Sequence, residues 1–236
     1  MTDSSPRPRA ARLRAEATPL FRRALAHPFV EGLAQGTLPA EVFGRWIVQD
    51  GIYLDTYARV LALAAADAPD RPTRARWADL LHLTLHHEVE AQRALAERFD
   101  LSPQAIDDAS PGPATSAYQS FLLENARAGY DRLVAAIVPC GVGYAEIART
   151  LAARPPSPEP RYADWVRAYD DPSFYEAVAF MEAELSRVPG DETLLTRIYL
   201  SGASHELAFW DQLMEPDLRA RDDGRGPSRG ASPAER

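Results

Sequence analysis

Residues 43–57 read FGRWIVQDGIYLDTY, and the apolar side chains in this stretch recur every three or four positions. That spacing places them along one face of an α-helix. Asp50 falls in the middle of the same face. Burying an ionised carboxylate without a partner is costly, so Asp50 needs a hydrogen bond, a ligand or a proton. The stretch therefore predicts a core helix that carries an acid into the interior. Its apolar face consists of Phe43, Trp46, Ile47, Tyr53, Leu54 and Tyr57.

The same spacing continues through most of the chain, whereas strand-like alternation bounded by turns is missing. We therefore predict an all-α fold, a single-domain bundle of about seven helices within residues 11–215. Residues 1–10 and 216–236 contain almost no large apolar side chains, so we expect them to be disordered tails. Prolines at 39, 72, 113 and 172 stand where helices can begin. The predicted helices span residues 11–26, 40–66, 72–98, 113–128, 130–152, 161–187 with a break near Pro172, and 191–214.

Composition excludes several classes of function. Hydrophobic residues make up 46% of the 236 residues and charged residues 25%, as in ordinary folded proteins. The net charge of −8 argues against a nucleic-acid partner, which would require a clustered basic surface. The one cysteine, Cys140, cannot form an intramolecular disulfide, and the N-terminus shows no apolar leader. Without a run of about 18 apolar residues to span a bilayer, we expect a cytoplasmic protein with no membrane partner.

A second acid falls on an apolar helix face near the end of the chain. Glu206 lies on the apolar side of the helix predicted over residues 191–214. For either acid alone, a structural ion pair or a wrongly assigned helix face is an equally good explanation. Both acids together favour a shared polar pocket. The neighbours of Glu206 on this face are Leu195, Tyr199, Gly202, Phe209, Trp210 and Leu213.

Cys140 lies in the apolar stretch LVAAIVPCGVGYAEI at residues 133–147. Pro139 should bend the helix there, and small neighbours should leave space beside the thiol. For the thiol taken alone, an inert core cysteine is the better explanation. A flat heteroaromatic ligand would account for the whole set, with carboxylates on its nitrogens and a thiolate adding to a ring carbon. Candidate walls for such a ligand are Tyr118, Tyr144, Tyr169, Phe209 and Trp210.

Three motifs in collinear order resemble the TenA, or thiaminase II, family of aminopyrimidine aminohydrolases. The first comprises HPFVEG at 27–32, GTLP at 36–39 and VQDGIY at 48–53. The second combines Pro139-Cys140 with YAE at 144–146, and the third is SHELAFW at 204–210. The resemblance extends from about residue 15 to residue 215. It implies a haem-oxygenase-like helical bundle that assembles as a homotetramer and uses neither haem nor metal.

The resemblance also implies a role for each site residue. Cys140 would be the nucleophile, Glu206 the acid and base at the ring nitrogen, and Asp50 the partner of the amidine edge. The substrate would be a 4-amino-2-methylpyrimidine with a leaving group on its 5-methylene, which is displaced hydrolytically in thiamin salvage or degradation. The substrate-binding residues would be Tyr53 near the thiol, Tyr169 supporting Glu206, and Tyr118, Tyr144 and Phe209 around the ring.

The chain departs from the family at three small residues. The family often has a bulky side chain soon after the cysteine and more aromatic character after the first aspartate. Here those positions are held by Gly141, Gly143 and Gly51. We expect a roomier pocket from this difference.

Two other functions remain open from the sequence. A metal-dependent oxidase on the same bundle would draw on the histidines and glutamates of residues 82–90, although only His86 and Glu90 form a clean one-turn pair. A solvated helix face explains that cluster better than a metal site does, and His27 is a poor haem ligand because Pro28 follows it. A pyrimidine-binding or regulatory protein without catalysis is the non-enzymatic alternative.

Overall fold

The computed structural model describes residues 7–215 except 103, 105 and 107. No β-strand occurs in this part of the chain, which confirms the all-α prediction. The α-helices are α1 (Arg9–Leu25), α2 (Pro28–Gln35), α3 (Ala40–Asp67), α4 (Arg71–Leu83), α5 (Val89–Glu97), α6 (Pro113–Ala128), α7 (Tyr130–Ala152), α8 (Pro160–Tyr169), α9 (Pro172–Arg187) and α10 (Glu192–Met214), with a π-helical turn at Thr84–Glu88 between α4 and α5.

Helix starts follow the local sequence closely. Side chains that accept a hydrogen bond from the first turn cap α4, α9 and α10, through Asp70, Asp171 and Asp191 respectively. Prolines lie in the first turn of α4, α6 and α9, as predicted. The first helix begins at Arg9, two residues inside the predicted N-terminal tail. Residues 1–6 and the predicted tail 216–236 lie outside the described residues.

Helix α2 was not predicted. It has only eight residues, too few for an apolar period to stand out. His27 caps it by accepting a hydrogen bond of 3.2 Å from the Phe29 amide, and its other ring nitrogen lies 3.2 Å from Asp211. Gly36 ends the helix with φ +70°, a conformation that favours glycine. His27 therefore serves as a structural cap of this short helix.

Helix α7 forms the centre of the bundle. It contacts α1, α3, α6, α8, α9 and α10, and it runs through Pro139 as one helix. Its length and mean hydropathy alone would suit a membrane span, but 83% of its most apolar 18-residue stretch is buried inside the protein. The burial is that of a core helix. The buried side chains form two hydrophobic clusters, one that includes Tyr118 and Leu133 and one that includes Trp46 and Trp210. Cys140 of α7 packs against both, so its thiol lies where the two clusters meet.

Candidate active site

A pocket opens between the two clusters and reaches Cys140. All eight predicted site residues line it, although they come from five helices far apart in sequence. The empty space between its walls, counted together with its open mouth, measures about 500 Å³. We call it the central pocket. Its lining consists of Asp50, Tyr53, Leu54, Tyr57, Glu88, Tyr118, Cys140, Gly141, Tyr144, Tyr169, Phe174, Glu206 and Phe209.

Asp50 is the first acid that the sequence placed in the interior, and the structure buries it to 5% exposure. Its carboxyl group makes no hydrogen bond or ion pair with any described residue. Burial raises its pKa well above the ordinary value, and the nearby carboxylates of Glu88 and Glu206 raise it further. The carboxyl group of Asp50 is thus left available for a ligand.

Glu206 approaches the pocket from α10 and is 6% exposed. The Tyr118 hydroxyl donates a hydrogen bond of 2.6 Å to its Oε1 atom. Burial raises the pKa of Glu206 to about 7, while contacts from Tyr118 and the Cys140 thiol oppose that rise. Glu206 can therefore take or give a proton near neutral pH, which suits a general acid and base.

The surroundings of Cys140 favour the protonated thiol over the thiolate. Burial raises its pKa well above the ordinary value, and the charge of Glu206 adds to the rise. The Tyr53 hydroxyl works in the opposite direction and lowers the pKa of the thiol. A thiol of this kind becomes nucleophilic only when a base removes its proton, and Glu206 is the carboxylate in contact with it.

Tyr53 lies beside the thiol, as the resemblance implies. Its hydroxyl is buried yet makes no hydrogen bond of standard geometry in the described part of the chain. The Tyr53 ring packs against Tyr118, with centroids 5.1 Å apart, and lies 6.4 Å from Phe209. Tyr53 thus offers both an aromatic surface and an unused donor to the pocket.

Two predicted details are wrong. Support for Glu206 comes from Tyr118, whereas Tyr169 makes no hydrogen bond to it and instead packs against Tyr144 with centroids 4.9 Å apart. Trp210 does not line the pocket. It packs in the core against Phe29, 5.0 Å between centroids. Periodicity identifies the buried face of a helix but cannot tell a pocket wall from core packing.

Two of the three glycines do not open extra space. A methyl group on Gly141 would lie 2.7 Å from Cε of Met181, and one on Gly51 would lie 2.5 Å from the Gln92 amide nitrogen. At these two positions the space that a larger side chain would occupy is already filled, which argues against the roomier pocket expected there. A methyl group on Gly143 would lie 3.6 Å from Cε1 of Phe21, an ordinary van der Waals contact.

The sequence did not identify the pocket residues Leu54, Tyr57, Glu88, Gly141 and Phe174 as site residues. Glu88 was noted only as part of the histidine and glutamate cluster, for which we considered a metal site or a solvated face. The side chains of His82, His86 and Glu90 are exposed, whereas Glu88 lines the pocket. Across residues 7–215, apart from the three undescribed positions, no three His, Cys, Asp or Glu side chains are arranged to hold a metal ion.

Residues 14–216 match the TENA/THI-4/PQQC family. An aminopyrimidine aminohydrolase of Halalkalibacterium halodurans is 33% identical over 209 residues, which cover 86% of this chain and 93% of the relative. A TenA homologue from P. horikoshii OT3 has a TM-score of 0.82 and 28% identity, covering 88% of this chain and 98% of its own. A domain with a heme oxygenase-like fold from Shewanella denitrificans shares the fold at 12% identity, with a TM-score of 0.67 over 86% of this chain and 90% of its own.

Proposed function

The chain belongs to the TENA/THI-4/PQQC family, and we propose that it is an aminopyrimidine aminohydrolase of the thiaminase II type. Its substrate is a 4-amino-2-methylpyrimidine that carries a leaving group on the 5-methylene, in thiamin salvage or degradation. The observation that carries the proposal is the meeting of Cys140, Glu206 and Asp50 around one aromatic-lined pocket. Its described lining contains three carboxyl groups and no arginine or histidine. Such a pocket favours a flat, basic ligand that can accept protons from acids.

Each residue has a role in this proposal. Asp50, without a protein partner, binds the amidine edge formed by a ring nitrogen and the 4-amino group. Glu206 faces another ring nitrogen, and Tyr118 holds its carboxyl group in place through the 2.6 Å hydrogen bond. The remaining pocket aromatics stack on or border the ring, and they are Tyr53, Tyr144, Tyr169 and Phe209.

In the first step, addition of the sulfur to the ring, the proton that the ring nitrogen gains comes from the thiol and not from solvent. Glu206 takes the thiol proton of Cys140 and passes it to the ring nitrogen while the sulfur bonds to a ring carbon. The nitrogen then returns its proton to Glu206, and the ring electrons expel the leaving group from the methylene. Water adds to the methylene, its extra proton replaces the one on the ring, and the thiol leaves. General acid and base catalysis of this kind supplies roughly 10²–10⁴-fold in rate.

We further propose that the protein works in the cytoplasm as a homotetramer. The free thiol of Cys140 suits a reducing compartment. The tetramer is supported by the resemblance to the family. Sedimentation of the purified chain tests the assembly, and a mass near that of one 26.0 kDa chain would contradict it.

The test of the function is a substrate panel. Aminomethylpyrimidine, thiamin and formylaminopyrimidine are each incubated with the purified chain, and release of hydroxymethylpyrimidine is measured. We expect turnover of at least one compound, and no turnover after Cys140→Ser although pyrimidine still binds. Ser204→Ala, a substitution at an exposed position of α10, is the control variant, and it should fold and turn over substrate like the unmodified chain. Pyrimidine binding without turnover by the unmodified chain would favour the non-catalytic carrier instead.

A further inference from the structure

Glu88 is a half-buried carboxylate that the proposed mechanism does not use. It is the last residue of the π-helical turn Thr84–Glu88, which interrupts the long helical segment between α4 and α5. Short π segments rotate the following residues relative to an α-helix and occur frequently at functional sites. Here the turn leaves His86 and Glu90 exposed while Glu88 lines the central pocket. Thr84 holds the Glu88 carboxyl group by a hydrogen bond from the same turn.

Glu88 also lines a second, larger space that continues outward from the central pocket. This outer groove lies between the π turn with α5 and the facing helices α8 and α9, and it measures about 1,530 Å³ including open solvent. Cys140, Glu206 and Tyr118 border only the central pocket. Glu88 therefore stands at the passage by which a leaving group would depart. The residues common to both spaces are Asp50, Leu54, Tyr57, Glu88, Tyr169 and Phe174.

The carboxyl groups at this passage face no positively charged group of the described protein. Asp50, Glu88 and Glu206 contribute carboxyl groups, and no positively charged side chain borders the central pocket among the described residues. Arg98, in the outer groove, already pairs with Asp164 at 2.5 Å. Asp50 is nine-tenths buried and without a partner, which itself indicates a missing ligand. A positively charged ligand group would supply the compensation.

We propose that Glu88 is a substrate-binding residue that recognises an ammonium group on the 5-methylene of the pyrimidine. This inference rests on the proposed function and names the substrate class within it. In a 4-amino-2-methylpyrimidine the 5-methylene is the substituent next to the 4-amino group. Asp50 and Glu88 both line the passage between the central pocket and the outer groove, so Glu88 can meet the 5-substituent when Asp50 binds the neighbouring amino edge. An ammonium group leaves as neutral ammonia with the electron pair of the broken carbon–nitrogen bond, so holding the amine protonated favours its departure.

The test compares two pyrimidines that differ only in this substituent. Calorimetry measures the binding of aminomethylpyrimidine and hydroxymethylpyrimidine to the full chain carrying Cys140→Ser, which prevents turnover. Adding Glu88→Gln should weaken binding of the aminomethyl compound by about tenfold to a hundredfold, the range for a hydrogen bond to a charged group. Binding of the neutral hydroxymethyl compound should change by less than about threefold. Glu90→Gln, an exposed change two residues away, should alter neither affinity.

Each other outcome overturns the inference. Equal losses for both compounds would mean that Glu88 only shapes the pocket, and unchanged affinities would mean that it does not contact the ligand. If neither compound binds before Glu88 is changed, the proposed function fails as well. Should Glu88→Gln fail to fold, Glu88→Ala with the same two ligands gives the same contrast.

Discussion

The Tyr118 hydroxyl donates a 2.6 Å hydrogen bond to Glu206. The Tyr118 ring stacks on His205, the residue that precedes Glu206 in the chain. The two rings are nearly parallel, at 5° with centroids 5.2 Å apart. Consecutive residues of α10 thus fix both the hydroxyl and the ring of one tyrosine on α6. This arrangement holds the Glu206 carboxyl group in one orientation, as a proton relay between thiol and ring requires.

Tyr118→Phe should move the pH dependence of the reaction. The hydrogen bond from Tyr118 lowers the pKa of Glu206, so its loss raises that pKa above about 7. In the relay, Glu206 must start as a carboxylate, so activity rises with pH through its pKa. We expect the midpoint of kcat/KM to shift to higher pH and the activity at pH 7 to fall about tenfold. A pH profile of aminomethylpyrimidine hydrolysis measures both.

The control for Tyr118 is Tyr130, which donates a similar 2.7 Å hydrogen bond to Glu184 away from the central pocket. Tyr130→Phe should lower stability and leave the pH midpoint unchanged. A midpoint that stays in place in Tyr118→Phe would show that Glu206 is not the group that limits the rate at low pH.

Tyr53→Phe should separate activity from stability. The Tyr53 hydroxyl is buried without a hydrogen bond of standard geometry, so removing it should leave the free energy of unfolding unchanged or raise it by up to about 1 kcal/mol. The same hydroxyl lowers the pKa of the Cys140 thiol, so its loss should reduce kcat about tenfold. Urea unfolding and steady-state kinetics measure the two effects.

Tyr199 gives a matched control for Tyr53, because its buried hydroxyl also lacks such a hydrogen bond and it lies outside the central pocket. Tyr199→Phe should match Tyr53→Phe in stability and keep full activity. Equal activity in the two variants would remove Tyr53 from the mechanism.

The helices and the two interior acids could be predicted because their signals are local. The apolar spacing around Asp50 and Glu206 points both carboxyl groups inward, and both are indeed buried. Prolines and capping aspartates set the helix starts within a residue or two. Bringing Cys140 together with those acids depended on the family resemblance, since spacing along the chain carries no distance between separate helices.

The rest depends on tertiary packing. The π turn that directs Glu88 toward the pocket interrupts the regular α-helical spacing of apolar residues. That spacing is what would have assigned Glu88 to the buried or the exposed side of the helix. From the sequence, Gly141 is expected to leave empty space beside the thiol, and only the fold shows that Met181 fills that space. Tyr118 and Tyr169 are equivalent as sequence, yet only Tyr118 comes within hydrogen-bonding distance of Glu206.

Gly202→Val should destabilise the bundle at the contact between α7 and α10. A methyl group on Gly202 would lie 3.0 Å from the Ala136 carbonyl oxygen and 3.0 Å from Cγ of Pro139, next to Cys140. Backbone and a proline ring cannot move aside as a flexible side chain can, so the helices must separate. We expect a loss of about 1–3 kcal/mol in the free energy of unfolding, together with reduced activity. Ser204→Val places valine on the exposed face of the same helix and should cost far less. Equal losses in the two variants would assign the effect to helix propensity instead.

Glu206→Gln should stabilise the protein, and only at higher pH. The pKa of Glu206 is about 7 in the folded chain against an ordinary value of 4.5, so between these values the folded state holds a proton that the unfolded state releases. Stability conferred by the neutral carboxyl is therefore present below pH 4.5 and is lost as the pH rises through 7. Glutamine keeps an oxygen that accepts from Tyr118 but never ionises. The variant should match the parent in unfolding free energy near pH 4.5 and exceed it by about 3 kcal/mol near pH 8.5.

Denaturant unfolding across this pH range measures the difference. The exposed substitution Glu90→Gln is the control, and its difference in unfolding free energy from the parent should not change with pH. A constant difference at every pH would show that Glu206 does not titrate in this window, and its role as the proton relay would then be wrong.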